Sequence, residues 1–165
     1  MALKRVLFRR RRKYKTDYKA RARMLKGKIP RIVVRKTNRY IIAQIVQSQV
    51  AQDKVILNAN SKELLKYGWP DSYSVKNLKA GYLTGFLCAA KAKKEKIDKA
   101  ALDSGMIRST KWNKVYSVVR GALDGGLHVP HSEEVLPKVE AIYEKQSKYP
   151  IDLEKIKGEI LNKVK

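Results

Sequence analysis

Residues 31–46 decide the fold and read Arg-Ile-Val-Val-Arg-Lys-Thr-Asn-Arg-Tyr-Ile-Ile-Ala-Gln-Ile-Val. Two runs rich in β-branched residues, 31–37 and 40–46, flank Asn38-Arg39, which predicts two antiparallel strands joined by a two-residue turn. This turn pairs Arg31 with Val46 and Arg35 with Ile42, so one face of the hairpin is polar and basic. The opposite face is apolar and is predicted to lie under helices. The apolar face comprises Ile32, Val34, Ile41, Ala43 and Ile45.

Short strands and helices alternate after the hairpin. The pattern predicts strands over 54–59 and 99–103, an amphipathic helix within 74–96, and a helix over 111–124 capped by Ser109 or Thr110. Gly81 and Gly85 lie four residues apart on the first helix and would allow it to approach the sheet closely. The predicted fold is a mixed α/β (α+β) sheet in which a hairpin and further strands are packed by helices.

Two segments flank this α/β domain. We assign residues 1–30 to a basic arm, 31–127 to the α/β domain and 128–165 to a helical C-terminal extension. The extension is predicted to hold helices over 137–147 and 153–165, the second of them capped by Asp152.

The chain carries a large excess of positive charge. Its 165 residues include 38 Lys or Arg and 15 Asp or Glu, for a net charge of +23, and residues 1–39 hold 17 of the basic residues against Asp17 alone. Because 44% of the residues are hydrophobic, the chain can also form a core. An asymmetric surplus of this kind indicates a polyanionic partner, most simply a nucleic acid.

Other partners and compartments fit less well. No apolar stretch is long enough for a signal peptide or a membrane-spanning helix, so neither secretion nor a membrane partner is expected. The lone cysteine, Cys88, lies among apolar residues, is predicted to be buried, and fits the reducing cytoplasm. No cofactor, metal or small-molecule substrate is predicted.

The arm combines arginines with tyrosines. Arginine binds phosphate and stacks on bases, and Tyr14 and Tyr18 would either stack on unpaired bases or pack on the body of the domain. Self-repulsion should leave most of the arm extended until a polyanion binds, although residues 17–26 include good helix formers. The candidate RNA-binding residues of the arm are Arg9, Arg10, Arg11, Arg12, Lys13, Tyr14, Lys15, Tyr18, Arg21, Arg23, Lys26 and Lys28.

Two other functions share parts of this pattern. A metal-dependent nuclease related to ribonuclease H would need clustered carboxylates on the central strands, but the runs 31–37, 40–46 and 55–59 contain none. His128 and His131 are separated by Pro130, which prevents a helix from placing both rings on one metal ion. A free regulatory RNA chaperone would need the same basic arm, so it remains an alternative to a structural RNA-binding protein.

Several motifs resemble one ribosomal family. Residues 31–46, together with Ala-Leu-Asp-Ser-Gly at 101–105 and Gly-Ala-Leu-Asp-Gly-Gly-Leu-His-Val-Pro-His-Ser at 121–132, resemble the large-subunit ribosomal protein eighteen family. Lys-Ala-Gly-Tyr at 79–82 adds to the match, and Pro-His-Ser at 130–132 is similar to its archaeal and eukaryotic branch. The resemblance covers roughly residues 5–137.

The resemblance implies a structural protein of the cytoplasmic ribosome. Its implied partners are 5S rRNA, large-subunit rRNA and neighbouring ribosomal proteins at the central protuberance. Carried over to this chain, the family's RNA-binding arm falls on residues 9–28 and its loop before the last core helix on Arg108 and Lys111. That loop departs from the expected Gly/Pro-rich stretch at 106–112. The hairpin residues implied to face RNA are Arg31, Arg35, Lys36, Asn38, Arg39 and Tyr40.

Overall fold

A four-stranded mixed sheet forms the centre of the computed structural model, which describes residues 6–50, 52–144 and 151–164. Its strands are β1 (Arg31–Lys36), β2 (Ile41–Gln49), β3 (Gln52–Asn60) and β4 (Ala101–Asp103). Their order in the sheet is β3-β2-β1-β4. β2 pairs antiparallel with both β1 and β3, whereas β4 pairs parallel to β1. The predicted mixed α/β fold is therefore confirmed.

The hairpin has the predicted register. Arg31 pairs with Val46 and Arg35 with Ile42. At the turn, the Thr37 amide donates to the Tyr40 carbonyl and the Tyr40 amide donates to Thr37 Oγ1, both at 2.9 Å. All five residues of the predicted apolar face are buried. The hairpin thus presents one face to the core, because side chains alternate along a strand.

Helices surround the apolar face of the sheet. Within the described residues, the α-helices are α1 (Arg9–Arg12), α2 (Tyr18–Lys26), α3 (Leu78–Lys94), α4 (Lys114–Asp124), α5 (Val139–Glu144) and α6 (Leu153–Val164). Short 3-10 helices cover Ser61–Tyr67 and Glu133–Val135. No helix in the described ranges has the length and apolarity needed to cross a membrane.

Helix α3 is the central helix of the fold. Every residue from 79 to 90 is buried, so the prediction of an amphipathic helix is wrong for this stretch. The physical reason is that α3 contacts the sheet, α4 and α6, which cover several of its sides. Cys88 is fully buried as predicted, and burial raises the pKa of its thiol to about 12.

Glycines allow the backbones of α3 and α4 to approach each other closely. A Cβ on Gly85 would lie 1.9 Å from the carbonyl oxygen of Val118, and one on Gly121 would lie 1.9 Å from that of Tyr82. The prediction that Gly85 faces the sheet is therefore wrong. Gly81 has mixed surroundings, because its Cβ would meet both Ser117 of α4 and Ile41 of the sheet.

Some element ends differ from the prediction. β3 begins at residue 52 rather than 54, and β4 begins at 101 because Lys99 instead forms an isolated bridge with His128. Helix α4 is capped by Asn113, whose side chain accepts from the amides of residues 115 and 116 at 2.6 and 3.2 Å. Neither Ser109 nor Thr110 is the cap, because Trp112 has a φ of 62° and breaks the helical path before Asn113.

The C-terminal segment contains both predicted helices. The second is capped by Asp152, which accepts from the amides of Glu154 and Lys155 as predicted. Residues 145–147 and 165 of the predicted helices lie outside the described residues. Helix α6 packs on α3, and its buried side chains are Leu153, Ile156, Ile160 and Val164.

The arm is partly helical, which corrects the expectation of a mostly extended segment. Asp17 caps α2 by accepting from the amides of Lys19 and Ala20 at 2.9 and 3.1 Å, which stabilises the first turn. Neither α1 nor α2 has a buried residue. Residues 1–5 of the predicted arm lie outside the described residues.

Candidate nucleic-acid interface

Apart from the half-buried Arg21, the described cations of the arm are exposed. Arg9–Arg12, Lys13 and Lys15 are exposed, as are Arg23, Lys26 and Lys28. None of these side chains forms an ion pair with a carboxylate in the described part of the chain. Unpaired guanidinium and ammonium groups at this density can bind successive phosphates of a nucleic acid.

The two arm tyrosines differ in their surroundings. Tyr14 is 82% exposed, so its ring can stack on an unpaired base. Tyr18 is half-buried, and its ring centroid lies 5.2 Å from that of Phe8. The sequence left stacking on bases and packing on the body of the domain open for both residues, and the ring that Tyr18 contacts, Phe8, belongs to the arm itself.

An ion-pair network joins the arm to the sheet. Arg21 contacts Asp53 at 2.8 Å, and Arg31 contacts Asp53 at 2.9 Å and Asp103 at 2.8 Å. Arg35 contacts Asp103 at 3.0 Å. Burial alone would raise the pKa of Asp53, but the hydrogen bonds from Arg21 and Arg31 outweigh it and lower that pKa below its usual value.

Two of the sequence-predicted hairpin residues belong to this network. Arg31 is only 2% exposed, and Arg35 also donates to the carbonyl oxygens of Val34 and Asp103 at 2.9 and 2.8 Å. Their charges are therefore largely compensated by Asp103 and Asp53. The sequence pattern gave their face of the sheet but not their acidic partners, because Asp103 follows Arg31 by 72 residues.

The hairpin turn presents a different set of groups. Lys36, Asn38 and Arg39 are exposed. Tyr40 is half-buried and lines a shallow depression beside Lys62. These side chains can reach a large ligand that lies against this end of the sheet.

Two lysines from other segments act on the charge of Lys114. Lys114, in the first turn of α4, lies close enough to Lys76 and Lys36 for their charges to act on it. Burial lowers the pKa of Lys114 most, and the repulsion from Lys76 and Lys36 lowers it further. Because none of the three pairs with a described carboxylate, this cluster is a site that favours an anion.

A cavity of about 520 Å³ adjoins this lysine cluster. Its lining includes Lys36, Arg108, Trp112 and Lys114, and Trp112 is 42% exposed. Sequence reasoning missed Lys76, Trp112 and Lys114. The sequence did contain one indication for Lys114. A lysine in the first turn of a helix interacts unfavourably with the helix dipole, which suggests that it serves binding rather than helix stability.

The other two predicted loop residues are at the surface. Arg108 and Lys111 are exposed. Lys111 lies 3.5 Å from Glu134, and both side chains are well exposed, so this pair is weak. An RNA phosphate could replace Glu134 at little cost.

The carboxylates in the described part of the chain do not form a catalytic cluster. Asp103 is held by two arginines, and Asp124 accepts from the Tyr82 hydroxyl at 2.6 Å and pairs with Arg120 at 3.4 Å. The described residues contain no group of three or more side chains that could hold a metal ion. The fold and surface thus define a basic α/β nucleic-acid-binding protein.

Comparison with known proteins identifies the family. The family model for "Ribosomal large subunit proteins 60S L5, and 50S L18" matches residues 4–99 and 91–132. The chain is 53% identical to the large ribosomal subunit protein uL18 of Korarchaeum cryptofilum over 137 residues, which are 83% of this chain and 69% of that protein. It is 48% identical to the uL18 protein of Methanoregula boonei over 132 residues, which are 80% of this chain and 75% of that protein.

The chain belongs to this family of large-subunit ribosomal proteins. A third archaeal relative, the uL18 protein of Methanothermobacter thermautotrophicus, is 46% identical over 132 residues, 80% of this chain and 68% of that protein. The resemblance seen in the sequence, including its archaeal character, is confirmed. The chain is accordingly a structural, RNA-binding protein of the ribosome and not an enzyme, which excludes the nuclease alternative.

Proposed function

We propose that this chain binds 5S rRNA and helps attach it to large-subunit rRNA at the central protuberance. The observation that carries the proposal is that Lys36 and Lys114 line one cavity beside the hairpin turn, where the charge of Lys76 also acts on Lys114 and none of the three has a described acidic partner. The charges of Lys36 and Lys76 repel that of Lys114, and a folded polyanion would relieve this repulsion. Family membership supplies the ribosomal setting.

Two parts of the surface would contribute to RNA binding. The hairpin turn and the loop at 106–114 are fixed on the sheet and on α4, so they suit recognition of RNA shape. The exposed arm adds cations that bind phosphates without regard to sequence. Neighbouring ribosomal proteins are further partners in this proposal.

The test measures the affinity of the full chain for 5S rRNA and for a scrambled RNA of equal length at several salt concentrations. We expect tighter binding to 5S rRNA. Lys114→Gln should weaken it and reduce the slope of log affinity against log salt by about 0.7 to 0.9 for each lost phosphate contact. The matched control is Lys155→Gln, which removes an exposed lysine from α6.

Two outcomes would contradict the proposal. Equal affinity for the scrambled RNA would favour the RNA-chaperone alternative, and equal behaviour of Lys114→Gln and Lys155→Gln would remove the lysine cluster from the interface. Attachment is tested by adding the chain and 5S rRNA to large-subunit particles depleted of both. Retention of 5S rRNA without the chain would contradict the attachment role.

A further inference from the structure

A cleft separates the arm from the polar face of the sheet. Its walls come from Arg10 and the segment around α2, and its floor comes from side chains on all four strands. The cleft has a volume of about 630 Å³, which lies in the range of pockets that bind small organic ligands, roughly 300 to 1,000 Å³. The recognition surface at the hairpin turn does not include this space.

The floor of the cleft is largely neutralised. Arg31 and Arg35 are held by Asp103, and Asp53 is shared between Arg31 and Arg21. Val33 and Val46 add apolar surface to the lining. A phosphate would have to displace these carboxylates from their arginines, whereas an uncharged planar group would leave the ion pairs intact.

Two polar groups in the lining lack partners. The Nε of Arg31 is buried and has no hydrogen-bond partner among the described residues. The side-chain amide of Gln44 is half-buried and forms no hydrogen bond with them either. An unsatisfied buried donor is costly and calls for a ligand or a rearrangement. The half-buried Gln44 amide offers a donor and an acceptor to the cleft, as the edge of a nucleobase requires.

The wall of the cleft carries cations that could bind the phosphates of a nucleotide. Arg10 uses Nε to bind Thr16 Oγ1 at 2.8 Å, a neutral oxygen that leaves its charge uncompensated. Arg10 and Lys15 form no ion pair within the described ranges, so both can bind phosphate. Tyr18 adds a half-buried ring to the same wall.

We infer that this cleft takes one unpaired nucleotide of the bound RNA, with the base on the floor near Gln44 and the flanking phosphates on Arg10 and Lys15. The inference rests on the proposed function for the identity of the RNA. It adds a specific subsite between the arm and the sheet, where α2 and the hairpin act together.

The direct test is NMR titration of the full chain with AMP, GMP, CMP and UMP, with ribose 5-phosphate as the probe that lacks a base. We expect at least one nucleotide to shift the Gln44 side-chain amide and the Val33 methyl signals, and ribose 5-phosphate to shift neither. Gln44→Leu keeps roughly the size of the side chain and should lower the affinity for that nucleotide by about threefold to tenfold, the contribution of one hydrogen bond. Gln47→Leu is the matched control, since Gln47 is on the same strand but outside the cleft.

Three results would overturn the inference. These are the absence of shifts with all four nucleotides, equal shifts with ribose 5-phosphate, and equal weakening by Gln44→Leu and Gln47→Leu. The 5S rRNA titration separates this failure from that of the proposed function. Binding of 5S rRNA without nucleotide shifts would reject the cleft alone, whereas nucleotide shifts without a preference for 5S rRNA would reject only the proposed function.

Discussion

Arg31 and Arg39 carry the same side chain and have opposite surroundings. Arg31 is buried between Asp53 and Asp103, whereas Arg39 is exposed at the hairpin turn. Desolvating a guanidinium is costly unless carboxylates and hydrogen bonds compensate it. Arg31 should therefore contribute mainly to the stability of the fold, and Arg39 mainly to RNA binding.

We predict that Arg31→Met lowers the free energy of unfolding by about 3 kcal/mol, because it leaves buried Asp103 with Arg35 as its one remaining cation in the network. Arg39→Met should change it by less than about 0.5 kcal/mol. Urea unfolding of both variants measures the difference. Similar losses for the two would show that the buried network contributes little.

The same acidic network sets a pH dependence. The pKa of Asp53 in the folded protein is lowered, so its ion pairs contribute stability above the unfolded value of 3.8 that is lost as the pH falls through the folded pKa. We predict that the Asp53→Asn variant loses less stability than the parent as the pH falls below about 4, because the variant lacks the carboxylate that becomes protonated. Urea unfolding between pH 6 and pH 3 measures it. Parallel curves for the parent and the variant would contradict the prediction.

At the scale of elements, the contact between α3 and α4 depends on glycine. The backbones approach so closely at Gly85 and Gly121 that no Cβ fits at either position. Helix α6 is different, since a Cβ on Gly158 would meet no atom within 4 Å. One methyl group should therefore have opposite effects in the two helices.

We predict that Gly85→Ala destabilises the protein by at least about 3 kcal/mol, because overpacking usually costs 1 to 3 and here the clash is with backbone. Gly158→Ala should stabilise it by about 0.5 to 1 kcal/mol through helix propensity. Thermal and urea unfolding check both signs. A neutral Gly85→Ala would mean that the two helices can separate freely.

Helix α6 is joined to the central helix by Lys157. Its ammonium lies 5.1 Å from the ring centroid of Tyr82 and 5.9 Å from that of Phe86, both on α3. It also donates to Tyr143 at 3.2 Å and to Glu154 at 2.9 Å. These contacts add electrostatic attraction to the buried apolar side of α6.

We predict that Lys157→Met lowers stability by about 1 to 2 kcal/mol, since it removes these hydrogen bonds and cation–π contacts. Lys155→Met, on the exposed side of the same helix, should stay within about 0.5 kcal/mol of the parent. Affinity for 5S rRNA should be unchanged in both. A Lys157→Met protein that is as stable as the parent but binds RNA more weakly would instead place Lys157 in the interface.

At the scale of the whole molecule, charge and core are separated along the chain. Residues 1–28 hold 13 Lys or Arg against Asp17 alone. Their described helices contribute no buried residue, and an ion pair from Arg21 to Asp53 links them to the sheet. Binding and folding should therefore be separable.

We predict that deleting residues 1–28 leaves one cooperative thermal transition and weakens 5S rRNA binding by more than about a hundredfold near 0.1 M salt, because many phosphate contacts are lost. The salt slope should fall at the same time. Calorimetry and filter binding make the two measurements. Loss of the cooperative transition would show that the arm belongs to the folding unit.

The sequence by itself determined the hairpin, its register and the position of the charge. The alternation of side-chain direction along the strands of residues 31–46 determines which side chains share a face. The two-residue turn determines which residues of the two strands pair. The cations of the arm follow from composition alone. These features are local, because each depends on residues that are near one another in the chain.

Only the tertiary structure decided which of those cations are available. Arg31 and Lys114 are both basic residues beside apolar ones in the sequence, yet the fold gives Arg31 two carboxylates and gives Lys114 two lysines. It also turns α3 into a buried helix by placing α4 and α6 against it. Partners such as Asp103 come from distant segments, and because neither propensity nor periodicity records distance in space, no local pattern could supply them.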